Sequence, residues 1–165
     1  KIESGESILN KNKFDIINLT ENVFEMLEFT AKKKKIKLTV NKDKGLKTKV
    51  IADKEKIEQV LTNLIDNSIK YGKDNGTTEI QIQDLNENKI IVRITDNGLG
   101  FKKENYTRIF ERFFRVDRSG SRSAGGSGLG LAIVKHIIDA HDEKIYVESQ
   151  FGVGSEFSFT IEKSK

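Results

Sequence analysis

Apolar and polar positions recur with two different periods along this chain. A period near 3.6 residues predicts helices in NLTENVFEMLEFTAKK, KEKIEQVLTNLIDNSIKYG and LGLAIVKHIIDAH. A period of two predicts strands in KIKLTV, KTKVIA, TEIQIQDL, KIIVRITD, EKIYVESQ and SEFSFTIE. We therefore expect an α+β fold, a two-layer sandwich in which a mostly antiparallel mixed sheet carries helices on one face.

Residues at the ends of these segments predict where helices begin and strands turn. Asn18, with Glu21 three residues later, is predicted to cap the first helix, and Asp53 the second. Gly72 is expected to end the second helix. The turn residues NKDKG and NEN each lie between two strand patterns, so we expect a hairpin at each place.

Composition narrows the class of protein. A chain of 165 residues can bury one core of ordinary size. The net charge of +4, from 29 basic and 25 acidic residues, is too small to indicate nucleic-acid binding, and residues 32–35, the densest basic run, are interpreted as a solvated turn. The absence of cysteine excludes disulfides and thiolate metal sites. No apolar run is long enough to span a bilayer, so we expect a cytoplasmic domain.

The second predicted helix carries polar side chains beside its apolar stripe. Asn63, Asn67 and Lys70 fall at i, i+4 and i+7, which places them on one face. This face either meets solvent or lines a site. In a site, the amide oxygen of Asn67 would suit Mg²⁺, which prefers oxygen ligands, and Lys70 would suit a phosphate.

Two glycine-rich segments can likewise be interpreted either as ordinary structure or as parts of a binding site. Asp96 opens DNGLG at the end of an apolar strand, which suits a turn and equally suits a pocket where a flat ligand lies against bare backbone. SRSAGGSGLGLAIVKHI is predicted to run from a loop into a helix. This pattern is typical of a flexible linker that enters a helix, and it is equally typical of a phosphate-binding site at a helix N-terminus. Neither segment decides between its alternatives alone.

Five segments in order carry a resemblance to a known family. NLIDNSIKY, DNGLG, IFERFFRVD, GGSGLGLAI and GVGSEF resemble the N, G1, F and G2 boxes and the last glycine turn of sensor histidine kinases. The resemblance spans residues 14–161 and includes the wider superfamily of DNA gyrase, heat-shock chaperone and mismatch-repair ATPases. The phenylalanine-arginine pattern of IFERFFRVD is similar to that of the two-component kinases. The implied architecture is a Bergerat-type ATP-binding fold.

The resemblance implies a role for each polar residue of the site. Asn67 would be the Mg²⁺ ligand, and Asn63 a polar neighbour of the metal and phosphates. Lys70 would contact phosphate, and Tyr71 would pack on the adenine. Asp96 would accept a hydrogen bond from the adenine amino group.

The resemblance also implies backbone contacts in the glycine-rich segments. Gly98 and Gly100 would let the base approach closely. The loop before the third helix would be an ATP lid, with backbone around the phosphates supplied by Gly126, Gly128, Leu129, Gly130 and Leu131. Arg115 either steadies the γ-phosphate or the dimerisation helix during transfer, or is a surface arginine, and the sequence leaves these alternatives open.

Some residues depart from the pattern of the family. Asn63 stands where the related ATPases place a water-activating glutamate, and an amide cannot take a proton, so rapid hydrolysis is not expected. His136 and His141 are the only histidines, and neither lies in an acceptor motif. We interpret both as structural and expect a charged ring at the helix end. Asp142 and Glu143 replace a pair of glycines.

The predicted function is therefore that of an ATP-binding catalytic domain, which positions Mg·ATP for γ-phosphoryl transfer to a histidine outside this chain. The alternatives are a conformational ATPase of the gyrase or chaperone type and a degenerate nucleotide-binding module. Residues 1–13 resemble the end of a dimerisation-hairpin helix with its linker, and residues 14–165 the catalytic domain. The implied partners are that dimerisation and histidine-phosphotransfer domain and a downstream response regulator. We expect a monomeric fragment of a membrane-anchored homodimer.

Overall fold

The predicted periodicities correspond to three helices and seven strands within residues 8–106, 108–111 and 130–165, which a computed structural model describes. The helices are α1 (Ile16–Lys33), α2 (Lys54–Lys70) and α3 (Gly130–Ala140). The strands are β1 (Lys11–Asp15), β2 (Lys37–Lys42), β3 (Lys49–Asp53), β4 (Thr77–Asp84), β5 (Lys89–Asp96), β6 (Ile145–Gln150) and β7 (Gly154–Lys163). A short 3₁₀ turn lies at Lys103–Asn105.

All seven strands form one sheet in the order β1-β3-β7-β5-β4-β2, and β6 pairs with the first part of β7. Every pairing is antiparallel except that of β2 with β4, which is parallel. The expected mostly antiparallel mixed sheet is confirmed. The edge strand β2 lies beside β4, four positions from β3.

Alternation along the central strands separates an apolar face of the sheet from a polar face. Ile82, Val92 and Phe159 align across β4, β5 and β7, and all three are fully buried in the core against the helices. On the other face, the Arg93 guanidinium pairs with the Glu156 carboxylate at 3.1 Å. The helices therefore cover one face, as the two-layer sandwich requires.

The predicted caps are right for one helix and wrong for the other. Asp53 caps α2, because its carboxylate accepts a hydrogen bond from the Lys56 N–H at 3.3 Å. Asn18 does not cap α1. The chain passes directly from β1 into the helix, so Asp15 is the cap and accepts from the Ile17 N–H at 2.9 Å.

The predicted hairpin between β2 and β3 is wrong, whereas the β4–β5 hairpin is confirmed. The turn residues after β2 do form local bonds, such as the Leu46 N–H donating to the Asp43 carbonyl at 3.1 Å. The Asp43 carboxylate, however, accepts from the Asp84 N–H of β4, so the connection starts beside β4 and passes three strands to reach β3. Turn chemistry fixed the local bend but not the partner.

The sheet begins earlier than the predicted boundary at residue 14. Residues 11–13 belong to β1 and pair with β3, so the sheet includes them. The Asn10 N–H also donates to the Asp53 carboxylate at 3.0 Å. The resemblance of the preceding residues to a dimerisation helix stays a prediction.

His141 is buried at the end of α3, and the expected positive charge on its ring is wrong. Its Nε2 accepts a hydrogen bond from the Asp53 N–H at 3.0 Å, and its Nδ1 lies 2.9 Å from the Ile137 carbonyl. Nε2 must therefore be unprotonated and Nδ1 must carry the proton, so the ring is neutral. The ring joins the C-terminus of α3 to the N-terminus of α2.

The two residues that replace the paired glycines occupy a defined turn before β6. Asp142 has a positive φ of 59°, a conformation that glycine adopts without strain. Glu143 is buried and bonds through one oxygen to the Lys89 ammonium and through the other to the Thr160 hydroxyl, each at 2.5 Å. The substitution therefore adds a partly buried ion pair to the turn.

Candidate functional site

The C-terminal half of α2, the loop after β5 and the start of α3 lie together at one end of the sandwich. The Asn63 amide donates to the Gly130 carbonyl at 3.3 Å, which joins α2 to the first turn of α3. The Leu99 N–H donates to the Tyr71 carbonyl at 3.0 Å, which joins the end of α2 to the loop after β5. Segments that the sequence singled out separately therefore form one region.

Asn67 lies one turn beyond Asn63 on α2 and is half-buried. Its backbone carbonyl accepts from the Tyr71 N–H at 3.0 Å in the last turn of the helix. Its side-chain amide makes no hydrogen bond to any other residue that the structure describes. The amide oxygen is thus left without a described partner.

Lys70 is paired in this structure with a residue that the sequence analysis did not include. Its ammonium lies 3.1 Å from the carboxylate of Asp66, and each side chain is about one-third exposed. The i, i+4 spacing on α2 was the available signal. Because a partly exposed pair of this kind contributes little to stability, the ammonium can exchange its partner at a small cost in free energy.

The carboxylate of Asp96 is the most unusual titratable group of the region. Burial raises its pKa, and hydrogen bonds from the Gly98 N–H, the Ser68 hydroxyl and the Ser155 N–H only partly offset that rise. The Gly98 bond measures 2.9 Å. A buried acid with a perturbed pKa beside glycine backbone is a typical feature of a functional site.

Ser68 and Thr78 extend the surroundings of Asp96 and were missed as site residues. Both are buried, and their hydroxyl oxygens lie 2.7 Å apart. Ser68 shares the inward stripe of α2 with aliphatic side chains, and Thr78 is the register partner of Asp96 on β4. A hydroxyl in an otherwise aliphatic stripe was the signal that could have identified this network.

The two glycines after Asp96 are required by the packing of the protein's own backbone. A Cβ at Gly98 would lie 2.3 Å from the Tyr71 carbonyl oxygen and 2.6 Å from the Gly72 Cα. Gly100 has a φ of 63°, and a Cβ there would lie 2.1 Å from the Gln150 carbonyl oxygen. Close approach of a base at these glycines stays a prediction, because chain packing alone explains them.

The remaining predicted residues divide between the described part of the chain and the rest. Tyr71 is the half-buried C-cap of α2, one residue before the predicted end at Gly72. Gly130 begins α3, and Leu131 is half-buried against the core. The predictions outside the described residues are Arg115, Gly126, Gly128 and Leu129.

Residues 52–165 match the family described as histidine kinase-, DNA gyrase B-, and HSP90-like ATPase. The sensor histidine kinase WalK of Bacillus subtilis (strain 168) is 33% identical over 98% of this chain, which spans 26% of WalK. The chain therefore covers well under half of that relative.

Solved structures of histidine kinases share the fold. The catalytic domain of ThkA is 30% identical with a TM-score of 0.79, covering 94% of this chain and 97% of that domain. Another ThkA structure holds the response regulator protein TrrA; it is 30% identical with a TM-score of 0.75, covering 93% of this chain and 42% of that one. Full-length ShkA in complex with AMPPNP is 26% identical with a TM-score of 0.86, covering 99% of this chain and 34% of ShkA.

The family match covers most of the chain, and the ThkA match covers almost all of both domains. The resemblance and the α+β architecture predicted from the sequence are both confirmed. A domain of this ATPase family binds ATP. The chain belongs to the histidine kinase-, DNA gyrase B- and HSP90-like ATPase family, and within it has the fold of a sensor histidine kinase catalytic domain.

Proposed function

We propose that this domain holds Mg·ATP so that a histidine on a separate domain of the parent protein attacks the γ-phosphate. The observation that carries the proposal is the convergence of α2, the buried Asp96 and the first turn of α3 at one end of the fold. AMPPNP, the ligand of the ShkA structure, is an ATP analogue, which supports a nucleotide of this class for this domain.

At the base end, Asp96 provides the polar contact and Tyr71 the flat apolar surface. An ionised carboxylate only accepts hydrogen bonds, and adenine offers an amino group to such an acceptor. The Gly98 N–H already holds one carboxylate oxygen at 2.9 Å, so the acid is oriented before the base arrives. A pre-oriented group binds at a lower entropic cost.

At the phosphate end, the donor chemistry fits a hard cation and a triphosphate. The Asn67 amide oxygen has no partner among the described residues, and Mg²⁺ accepts such an oxygen while keeping water and phosphate as its other ligands. When bound, Mg²⁺ neutralises phosphate charge. Asn63 would lie beside it, held by its bond to Gly130, and Lys70 would exchange Asp66 for a phosphate oxygen.

Catalysis by this domain would rest on positioning and charge rather than on a base of its own. Asn63 carries an amide, which cannot accept a proton from water, so ATP is protected against rapid hydrolysis. His141 is buried and uses both ring nitrogens within the fold, and His136 is exposed on α3. Neither is the acceptor under this proposal.

The proposed partners follow from the separation of ATP binding, on this domain, from the acceptor histidine, on another domain. The acceptor histidine would lie on a dimerisation and histidine-phosphotransfer domain, from which a response regulator would take the phosphoryl group, and the TrrA complex of ThkA supports a regulator of this kind. We propose no nucleic-acid partner.

In the described residues, no helix combines the length and apolarity needed to cross a membrane. Cytoplasmic placement of a monomeric domain, within a membrane-anchored homodimer, belongs to the same proposal.

Labelling with γ-labelled ATP tests this function. The chain alone should bind ATP without acquiring stable label, and addition of the parent's histidine-bearing domain should produce acid-labile label on that domain. Asp96→Ala should abolish both binding and transfer. Stable label on His136 or His141 in the chain alone would contradict the proposal.

A further inference from the structure

One lysine of the basic run at the end of α1 does not point to solvent. Lys32, Lys33 and Lys35 are exposed, as expected for a solvated turn, and Lys33 lies 4.7 Å above the Phe29 ring. Lys34 is half-buried. The interpretation of the run as solvent-facing is therefore wrong at this position.

The ammonium group of Lys34 donates to three backbone carbonyls of another element. The acceptors are Ile69 at 3.0 Å, Lys70 at 2.8 Å and Gly72 at 2.9 Å. An ammonium has three donors, so each one is used. The Lys34 backbone carbonyl also accepts from the Asn75 N–H at 2.8 Å, which ties the same turn to the loop after α2.

The Ile69 and Lys70 carbonyls belong to the last turn of α2, and the Gly72 carbonyl lies just beyond it. At this end a helix leaves carbonyls without helical partners and carries a partial negative charge. A cation from outside the helix satisfies both conditions at once. No residue within α2 supplies this arrangement, because Lys70, the basic residue of its last turn, is paired with Asp66. The distant Lys34 therefore fixes the path of residues 69–72.

Residues 69–72 form one wall of the proposed nucleotide site. They include Lys70 and Tyr71, and the Tyr71 carbonyl accepts from the Leu99 N–H at 3.0 Å. Gly98 packs so closely on Tyr71 and Gly72 that a Cβ would not fit. A small displacement of this segment would therefore move the loop that follows Asp96.

We propose that Lys34 is a positioning residue for the nucleotide, acting through residues 69–72 without touching the ligand. Its three hydrogen bonds, here termed the Lys34 clamp, hold the end of α2 where Tyr71 and the loop after Asp96 meet. This inference rests on the proposed function, because it assumes that these residues form the ATP pocket.

The absence of cysteine from the chain permits a chemical test. Lys34→Cys introduces a unique thiol, which bromoethylamine converts into a lysine analogue and iodoacetamide converts into a neutral amide. We expect the neutral form to bind Mg·AMPPNP about tenfold more weakly by calorimetry, and the aminoethylated form to recover most of the affinity. Lys33→Cys, treated identically, should bind like the unmodified chain in every form.

A second measurement tests the Lys34 clamp in the absence of nucleotide. The amide resonance of Leu99 reports its bond to Tyr71, so it should shift in the neutral Lys34→Cys form and return on aminoethylation. Lys34→Met, which keeps an apolar stem, should reproduce the neutral form. Thermal midpoints of all forms are recorded in parallel, and binding is measured well below the lowest one.

The outcomes of these two experiments distinguish a positioning role of Lys34 from a general effect of Lys34 on the stability of the fold. Unchanged affinity in the neutral form, or an unchanged Leu99 resonance, would overturn the proposal. Recovery of the thermal midpoint without recovery of affinity would also overturn it, as would failure of both Lys34→Met and the neutral form to fold. If the unmodified chain binds no nucleotide, the proposed function fails, whereas the Leu99 resonance still tests the clamp.

Discussion

The carboxylate of Asp96 accepts a hydrogen bond from the backbone N–H of Gly98 at 2.9 Å, two residues further along the chain. The bond orients the acid, but burial opposes its charge and raises its pKa. The domain therefore maintains a carboxylate in a place where the charged form is disfavoured. Such an arrangement is costly for stability and useful for a ligand that donates to the acid.

The raised pKa of Asp96 predicts how stability depends on pH. The folded-state pKa lies above the unfolded value of about 3.9, so ionisation costs folding free energy above the folded pKa, and this cost disappears as the pH falls towards the unfolded value. Denaturant unfolding of the chain and of Asp96→Asn should therefore show the difference between them shifting in favour of the unmodified chain on acidification. A difference that stays constant with pH would contradict the prediction.

Asp96 should also determine which base is bound. Guanine presents a carbonyl oxygen where adenine presents an amino group, so GTP would place acceptor against acceptor, at a cost of about 2 kcal/mol or at least tenfold in affinity. Asp96→Asn should weaken ATP strongly and reduce the preference, since an amide can turn a donor towards guanine. Competition binding of ATP and GTP to both forms measures this. Equal affinities in the unmodified chain would remove Asp96 from the pocket.

Asn67→Asp should disturb nucleotide binding despite its nearly identical shape. A new charge beside the phosphates should weaken ATP without Mg²⁺ by about tenfold, and Mg²⁺ should recover part of the loss by screening that charge. Calorimetry with and without Mg²⁺ measures both effects. Asn22→Asp, an equal charge change at an exposed position of α1, is the control and should bind like the unmodified chain. Identical behaviour of the two variants would exclude Asn67 as a ligand.

The two histidines should differ sharply in their effect on stability. His141→Leu removes the acceptor of the buried Asp53 N–H and the donor to the Ile137 carbonyl, and should cost about 2 kcal/mol of unfolding free energy. His136→Leu, at an exposed position of α3, should change it by less than about 0.5 kcal/mol. Urea unfolding of both variants checks the pair. Similar losses in the two would mean that the His141 bonds carry no stability.

Glu143→Gln should weaken the turn before β6. The buried carboxylate bonds to the Lys89 ammonium and the Thr160 hydroxyl, and an amide keeps only one acceptor oxygen for these two donors. We expect a loss of about 1 kcal/mol in the free energy of unfolding. The matched control is Glu148→Gln, at an exposed position of β6, and it should change little. A neutral Glu143→Gln would show that solvent satisfies the turn.

Local pattern predicted the elements well but not their partners. All six predicted strands and three predicted helices exist, because each depends on a periodicity within its own residues. The pairing of β2 with β4 could not be predicted from NKDKG, since a turn sets the direction of the chain only over a few residues. The same limit explains Asp15, whose role as a cap depends on β1 ending where α1 begins.

In the candidate site too, features within one element were predictable from the sequence and contacts between elements were not. The spacing of Asn63, Asn67 and Lys70 on α2 was predictable, because a helix places such residues on one face. The bonds of Ser68 to Thr78 and of Lys34 to α2 were not, because each crosses between elements whose packing the spacing does not specify. The predicted roles of the phosphate-lid residues and of Arg115 stay predictions.

The position of β7 has a consequence for how the protein is made. β7 is the last described strand along the chain, yet it lies between β3 and β5 and also pairs with β6. While the ribosome still holds this strand, β3 and β5 of the nascent chain each present an unpaired edge, which is where other chains can add. The sheet is therefore completed only after β7 emerges, and until then the edges of β3 and β5 are open to pairing with other chains.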